Sequence, residues 1–135
     1  MTTSAGLPFV DEHTREVAAT PEQTWAALED YVAAMTSAPH AVLGRLLGTH
    51  PRSGFAVAGS DPPREIVLGG RHRFSTYRLV FRVTPTDAGS RLSALTYAAF
   101  PGLRGWLYRT GLLVTTGHAR ATRGMLRSIG RRAEG

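Results

Sequence analysis

Apolar positions fall into three regimes along the chain. Trp25, Leu28 and Val32 recur at intervals of three and four, which places them on one face of a helix over 20–36. Thr20-Pro21-Glu22-Gln23 reads as its start: Thr20 can cap, Pro21 suits the first helical position, and Gln23 can complete a capping box. Ser37-Ala38-Pro39 ends that helix, and the Val42/Leu46 and Leu43/Leu47 pairs predict a second one over 39–48, closed by Gly48. Ahead of both, Phe9 to Ala18 is β-compatible but carries charges on both faces, so it predicts an edge or partly exposed strand.

From Gly54 the period changes to two. Strands are expected over 55–59 and 64–69 around the turn Ser60-Asp61-Pro62-Pro63. A third, over 75–84, puts Tyr77, Leu79, Phe81 and Val83 on one side with Arg78 and Arg82 on the other. After a turn at 85–89, a fourth over 91–100 sets Leu92, Ala94, Thr96, Ala98 and Phe100 on one face. Strands joined by short turns predict an antiparallel sheet with one buried face. Pro101-Gly102 ends it, and one long helix follows. Its expected apolar stripe is Leu103, Trp106, Leu107, Thr110, Val114, Gly117, Ala121 and Met125, with Arg109, Arg120, Arg123, Arg127 and Arg131 opposite. Gly111 and Gly117 bracket LLVTT, whose β-branched Val114, Thr115 and Thr116 also weaken helix propensity, which makes a kink there an expectation. The class is α+β, in which the terminal helix alone is long enough to cover the sheet.

The chain has 135 residues, which suits one domain over 1–135 with a frayed 1–8. Such a domain buries roughly 70% of the surface its unfolded chain exposes and needs no staple. There is no cysteine, so thiol catalysis, zinc–thiolate sites and disulfides are excluded. No stretch approaches the ~18 apolar residues of a membrane span, nor does the N-terminus read as a secretory signal, so the expected location is cytoplasmic.

The net charge is +6, and all 16 basic residues are arginine. Codon usage in a GC-rich genome accounts for that choice as well as function does. The distribution says more: residues 1–50 carry −4, residues 51–103 carry +4, and residues 104–135 carry +6. A polyanion would meet the C-terminal helix first.

The segment TPEQTWAAL after a first strand resembles the (A/S)-P-x-x-V-W-x-x-L opening of the START-like (SRPBCC) superfamily, which includes polyketide cyclases and Bet v 1-like proteins. The stretches RHRFSTYRLVFRV and AAFPGLRGWLYRTGLLVTTGH are similar to an uncharacterised bacterial branch of it. The resemblance implies a helix-grip fold, with a curved antiparallel sheet wrapped around the long C-terminal helix and two short helices after the first strand. It further implies a cavity between sheet and helix that holds a small apolar ligand. The stretch before Gly54 is short for such a protein, so one early strand is expected to be missing or merged.

Few groups carry chemistry. The five histidines, His13, His40, His50, His72 and His118, form no HExxH and no close pair, so no metal site and no cofactor is expected. No phosphate loop or G-x-S-x-G elbow is present. His118, beside the helix's apolar stripe, is the strongest candidate for a ligand contact, against a core-rim histidine bonded to a backbone carbonyl. Tyr77 and Thr96 could supply hydroxyls, and Ala94, Ala98, Val114 and Gly117 would form the small-residue lining. Tyr108, His72 and Arg73 are weaker candidates. The first expectation is non-catalytic binding of a lipid- or polyketide-like molecule. The alternatives are a cofactor-independent cyclase or dehydratase and an anion surface on the arginine face. That face lacks interleaved aromatics, so it implies weak binding of acidic lipid or polyanion and no specific nucleic-acid readout.

Overall fold

The computed structural model describes the backbone of residues 9–37, 56–72, 75–99 and 104–135, and the side chains of 9–36, 56–70, 76–98 and 119–135. Strand β1 (Phe9–Val17) is followed by helix α1 (Pro21–Ser37). Strands β2 (Ala56–Asp61), β3 (Glu65–His72), β4 (Ser75–Thr86) and β5 (Gly89–Ala99) come next, and the 31-residue helix α2 (Arg104–Glu134) ends the chain. At 1.5 Å per residue α2 is about 46 Å long. The expected helix over 39–48, and the question of a merged early strand before Gly54, lie outside the described residues.

All five strands pair antiparallel in the order β1-β5-β4-β3-β2. β2 to β5 form a meander of neighbours, and β1 returns to the free edge of β5, so the ionic strand is indeed an edge strand. Strand β4 runs two residues further than the alternation suggests, because Pro85 and Thr86 still pair with Ser90 and Gly89. The reversal is thereby squeezed into Asp87-Ala88. It depends on Gly89, whose φ of 150° is open to glycine, and a Cβ there would stand 2.5 Å from the Val17 carbonyl oxygen.

The start of α1 forms the reciprocal bonds that its sequence predicts. The Thr20 amide donates to Gln23 Oε1 at 2.9 Å, and the Gln23 amide donates to Thr20 Oγ1 at 3.1 Å. Its apolar face then packs on the sheet: Trp25, Leu28 and Val32 join Ile66, Leu68, Leu79, Phe81, Val83 and Leu92 in one core. Buried polar groups in this region satisfy one another. Ser90 Oγ donates to the Ala19 carbonyl at 3.0 Å and accepts from Thr24 Oγ1 at 2.6 Å, which ties α1 to the start of β5.

The far end of α2 is clasped by β1. Glu134 accepts from the Ala18 amide at 3.0 Å through Oε2 and from Arg15 Nη2 at 3.4 Å through Oε1. Gly130 makes room for the contact, since a Cβ there would collide with Arg15 Nε and Cδ. In this half of the helix the expected stripe is displaced. Ala121 is exposed and Met125 half-buried, while Thr122, Leu126 and Ile129 are buried. The helix packs here against β1 and α1 together. Its buried line is therefore centred between two partners, and 122-126-129-133 lies about one residue step, roughly 100°, from the predicted row.

The sheet also departs from having a single buried face. Val67, Val80 and Leu95 occupy one ladder row on the outer side and bury each other, with Tyr97 packed against them. Phe9 meets Tyr97 edge-on, with ring centroids 5.7 Å apart. Around that row the outer face is ionic, with Arg82 Nε donating to Glu65 Oε2 at 2.8 Å and Arg91 Nε to Glu16 Oε2 at 2.7 Å.

Candidate functional site

Paired residues of an antiparallel ladder share a face. Phe81, Leu79 and Leu92 are buried on the concave side, so the register carries that side across the sheet. Tyr77 pairs with Ala98, Leu79 with Thr96 and Phe81 with Ala94, so Tyr77, Ala94, Thr96 and Ala98 all face inward as expected. The concave face is divided. One half, from Val17 and Leu92 to Val83 and Ile66, is filled by α1 and the C-terminal turns of α2. The other half, toward Ala98 and Tyr77, carries small and polar residues instead. Ala94 belongs to the packed core, whereas Thr96 and Ala98 lie beyond it. His118, Val114 and Gly117 lie on α2 where side chains are outside the described residues.

Burial pushes the Tyr77 hydroxyl above the ordinary tyrosine value. It therefore remains a protonated hydrogen-bond donor at neutral pH. An open depression of about 220 Å³ lies near it, at the β2–β3–β4 edge between Ala58, Gly69, Gly70, Tyr77 and Arg78. That is below the 300–1,000 Å³ typical of sites that enclose a small molecule.

Two inward residues are absent from the sequence-level candidates. His13 pairs with Ala94 and Asp11 with Thr96, so both sit on the concave face beside the small-residue half. His13 Nε2 lies 3.2 Å from Asp11 Oδ2, and their side chains are only 15% and 19% exposed. The signal in the sequence is Val17. It is buried, and counting back by twos reaches Arg15, His13 and Asp11, while Glu12, Thr14 and Glu16 are exposed.

On the opposite side of α2, Arg120, Arg123, Arg127 and Arg131 are all exposed, and none has an acidic partner among the described residues. The described residues hold no group of three or more metal-ligating side chains, and no helix among them is long and apolar enough to cross a membrane.

A five-stranded antiparallel sheet closed by a long C-terminal helix is shared with many solved structures. A protein from Chromobacterium violaceum is 14% identical over 95% of this chain and 99% of its own, with a TM-score of 0.61. The Zhui aromatase/cyclase from Streptomyces sp. R1128 is 17% identical over 95% of this chain and 94% of its own, also at 0.61. This is the helix-grip α+β fold. A truncated norcoclaurine synthase from Thalictrum flavum shares it at 18% identity, over 93% of this chain and 94% of its own, with a TM-score of 0.53. No protein-family model and no curated protein sequence matches the chain. In the terms of that fold the gripped helix is α2.

Proposed function

We propose that this chain binds a small hydrophobic molecule between the concave face of the sheet and α2, with Tyr77, Thr96 and His118 supplying polar contacts. The observation that carries the reading is the division of the concave face: large side chains pack one half solidly, and Thr96, Ala98, Gly70 and Tyr77 occupy the other. Small residues opposite a long helix leave room that large ones would fill. Similarity of fold to an aromatase/cyclase, a name that denotes ring formation, supports the same reading. A cyclase- or dehydratase-type reaction is the second reading, favoured by the Asp11–His13 pair, a proton-transfer group at the edge of an apolar space.

Native mass spectrometry of the purified protein tests the binding reading directly, with a co-purifying apolar molecule as the expected result. Ala98→Leu should remove that molecule at little cost in stability. If the interior is solid, the same change overpacks it and costs ~1–3 kcal/mol. Such destabilisation, with no bound molecule in the wild type, would overturn the pocket.

A further inference from the structure

Arg120, Arg123, Arg127 and Arg131 form a charged row along the solvent side of α2. At 100° per residue all four lie within about 80° of one another, and at 1.5 Å per residue the row is about 17 Å long. Each is exposed and has no acidic partner among the described residues. Glu134, the one acid of α2, accepts from Arg15 and the Ala18 amide, and Asp30 of the neighbouring α1 stands 3.9 Å from Arg132.

Such a row works against the helix that carries it. Arg123, Arg127 and Arg131 follow one another at i, i+4, where like charges repel, whereas a face that meets only water gains from alternating Glu and Arg. The helix dipole favours a cation in the last turn, which accounts for Arg131, but its influence fades beyond that turn. Arg120, Arg123 and Arg127 stand further back. Aligned guanidinium forks on a free face are complementary to repeated phosphates.

The surroundings of the row favour one kind of phosphate surface. The opposite side of α2 packs against β1 and α1, so the helix offers a single side, which suits a plane better than entry into a nucleic-acid groove. No aromatic side chain stands between Arg120 and Arg131 to stack on a base. The exposed large apolar side chains among the described residues, Phe9 and Val57, belong to β1 and β2, so contact through the row is electrostatic and stays at headgroup depth. We propose that this row docks the chain on a membrane leaflet rich in acidic phospholipid, with the guanidinium groups on the lipid phosphates. The proposal goes beyond the binding of an apolar molecule and does not depend on it.

Co-sedimentation of the full chain with vesicles of phosphatidylcholine, alone or with about one third phosphatidylglycerol, tests it. The chain should sediment with the acidic vesicles only, and be released as salt rises from about 0.05 M to about 0.5 M. Each basic residue at an acidic leaflet strengthens partitioning about fivefold, so Arg123→Gln with Arg127→Gln should weaken it about 25-fold. Arg64→Gln with Arg91→Gln removes the same charge from exposed positions off the helix, and should weaken it less than about threefold. Circular dichroism confirms that both double variants fold. No sedimentation with acidic vesicles, equal sedimentation with phosphatidylcholine alone, or equal weakening by the two double variants overturns the proposal. So does duplex RNA that displaces the chain from acidic vesicles at matched phosphate concentration, which would make a nucleic acid the partner. The content of the pocket is read separately by native mass spectrometry, so either reading can fail while the other stands.

Discussion

Deleting the Ser90 hydroxyl should be far more costly than deleting the Thr24 hydroxyl that bonds to it. Thr24 and Ser90 are both fully buried. Ser90 Oγ stands in the middle of a chain, accepting from Thr24 at 2.6 Å and donating to the Ala19 carbonyl at 3.0 Å. Ser90→Ala therefore strands two groups, the Thr24 hydroxyl and the Ala19 carbonyl. Each unsatisfied buried group costs about 1–3 kcal/mol. Thr24 can recover part of the loss by turning to the Thr20 carbonyl one helical turn back, which leaves an expected cost of about 2–3 kcal/mol. Thr24→Val keeps the Ser90–Ala19 bond and preserves the volume, so about 1 kcal/mol is expected. With Ser90 already gone, Thr24→Val removes a stranded hydroxyl, so the double variant should be no less stable than Ser90→Ala alone.

Urea denaturation followed by circular dichroism gives all three values. In a thermal scan a chain of this length should lose roughly 3–5 °C per kcal/mol, so Ser90→Ala would melt about 10 °C low. Equal costs for the two single variants, or a double variant at their sum, would refute the chain of bonds as the link between α1 and the sheet.

Gly89→Ala forces an unfavourable φ and a Cβ against the Val17 and Ala19 backbone, so a loss of about 1–3 kcal/mol or more is expected in the same denaturation assay. Phe81→Ala should cost about 3–5 kcal/mol, because the ring is wholly buried at the centre of the core, and a melting point within a degree or two of wild type would contradict its place there. Burial raises the hydroxyls of both Tyr31 and Tyr77. Above pH 10 the unfolded chain thus ionises them first, stability falls as pH rises, and Tyr31→Phe with Tyr77→Phe should flatten that decline. If the Arg120–Arg123–Arg127–Arg131 stripe meets polyanions, heparin affinity should drop steeply between low and physiological salt, and replacing two of these arginines by Gln should lower the slope.

What could be read from the sequence depended on whether a local pattern had only one physical solution. The capping box of α1 did, since Thr20 and Gln23 satisfy amides within their own turn and need nothing from the rest of the fold. So did the inward faces of β4 and the start of β5, where Leu79, Phe81, Val83 and Leu92 stand next to Arg78, Arg82, Arg91 and Ser93 and a shift of one residue would bury the wrong set. The stripe on α2 had two solutions. Near its C-terminus both 121-125 and 122-126-129 are apolar or small, and contact with β1 and α1 selected the second. The buried outer row Val67–Val80–Leu95 arises from register across three strands, which no single strand's pattern contains.

Strand β1 is the case that matters for function. With Asp11, Glu12, His13, Thr14, Arg15 and Glu16 in succession, both faces are polar, and alternation alone cannot tell inside from outside. Its orientation is set by Val17 and by pairing with β5, and it turns Asp11, His13 and Arg15 inward. Inward charges on an edge strand have a structural use, because they discourage a further strand from adding to the sheet. That use, together with the bond to Glu134, accounts for Arg15. It does not account for His13, which is mostly buried and, among the described residues, bonded to Asp11 of its own strand. A leucine in its place would cover the same core without the cost of burying a polar ring.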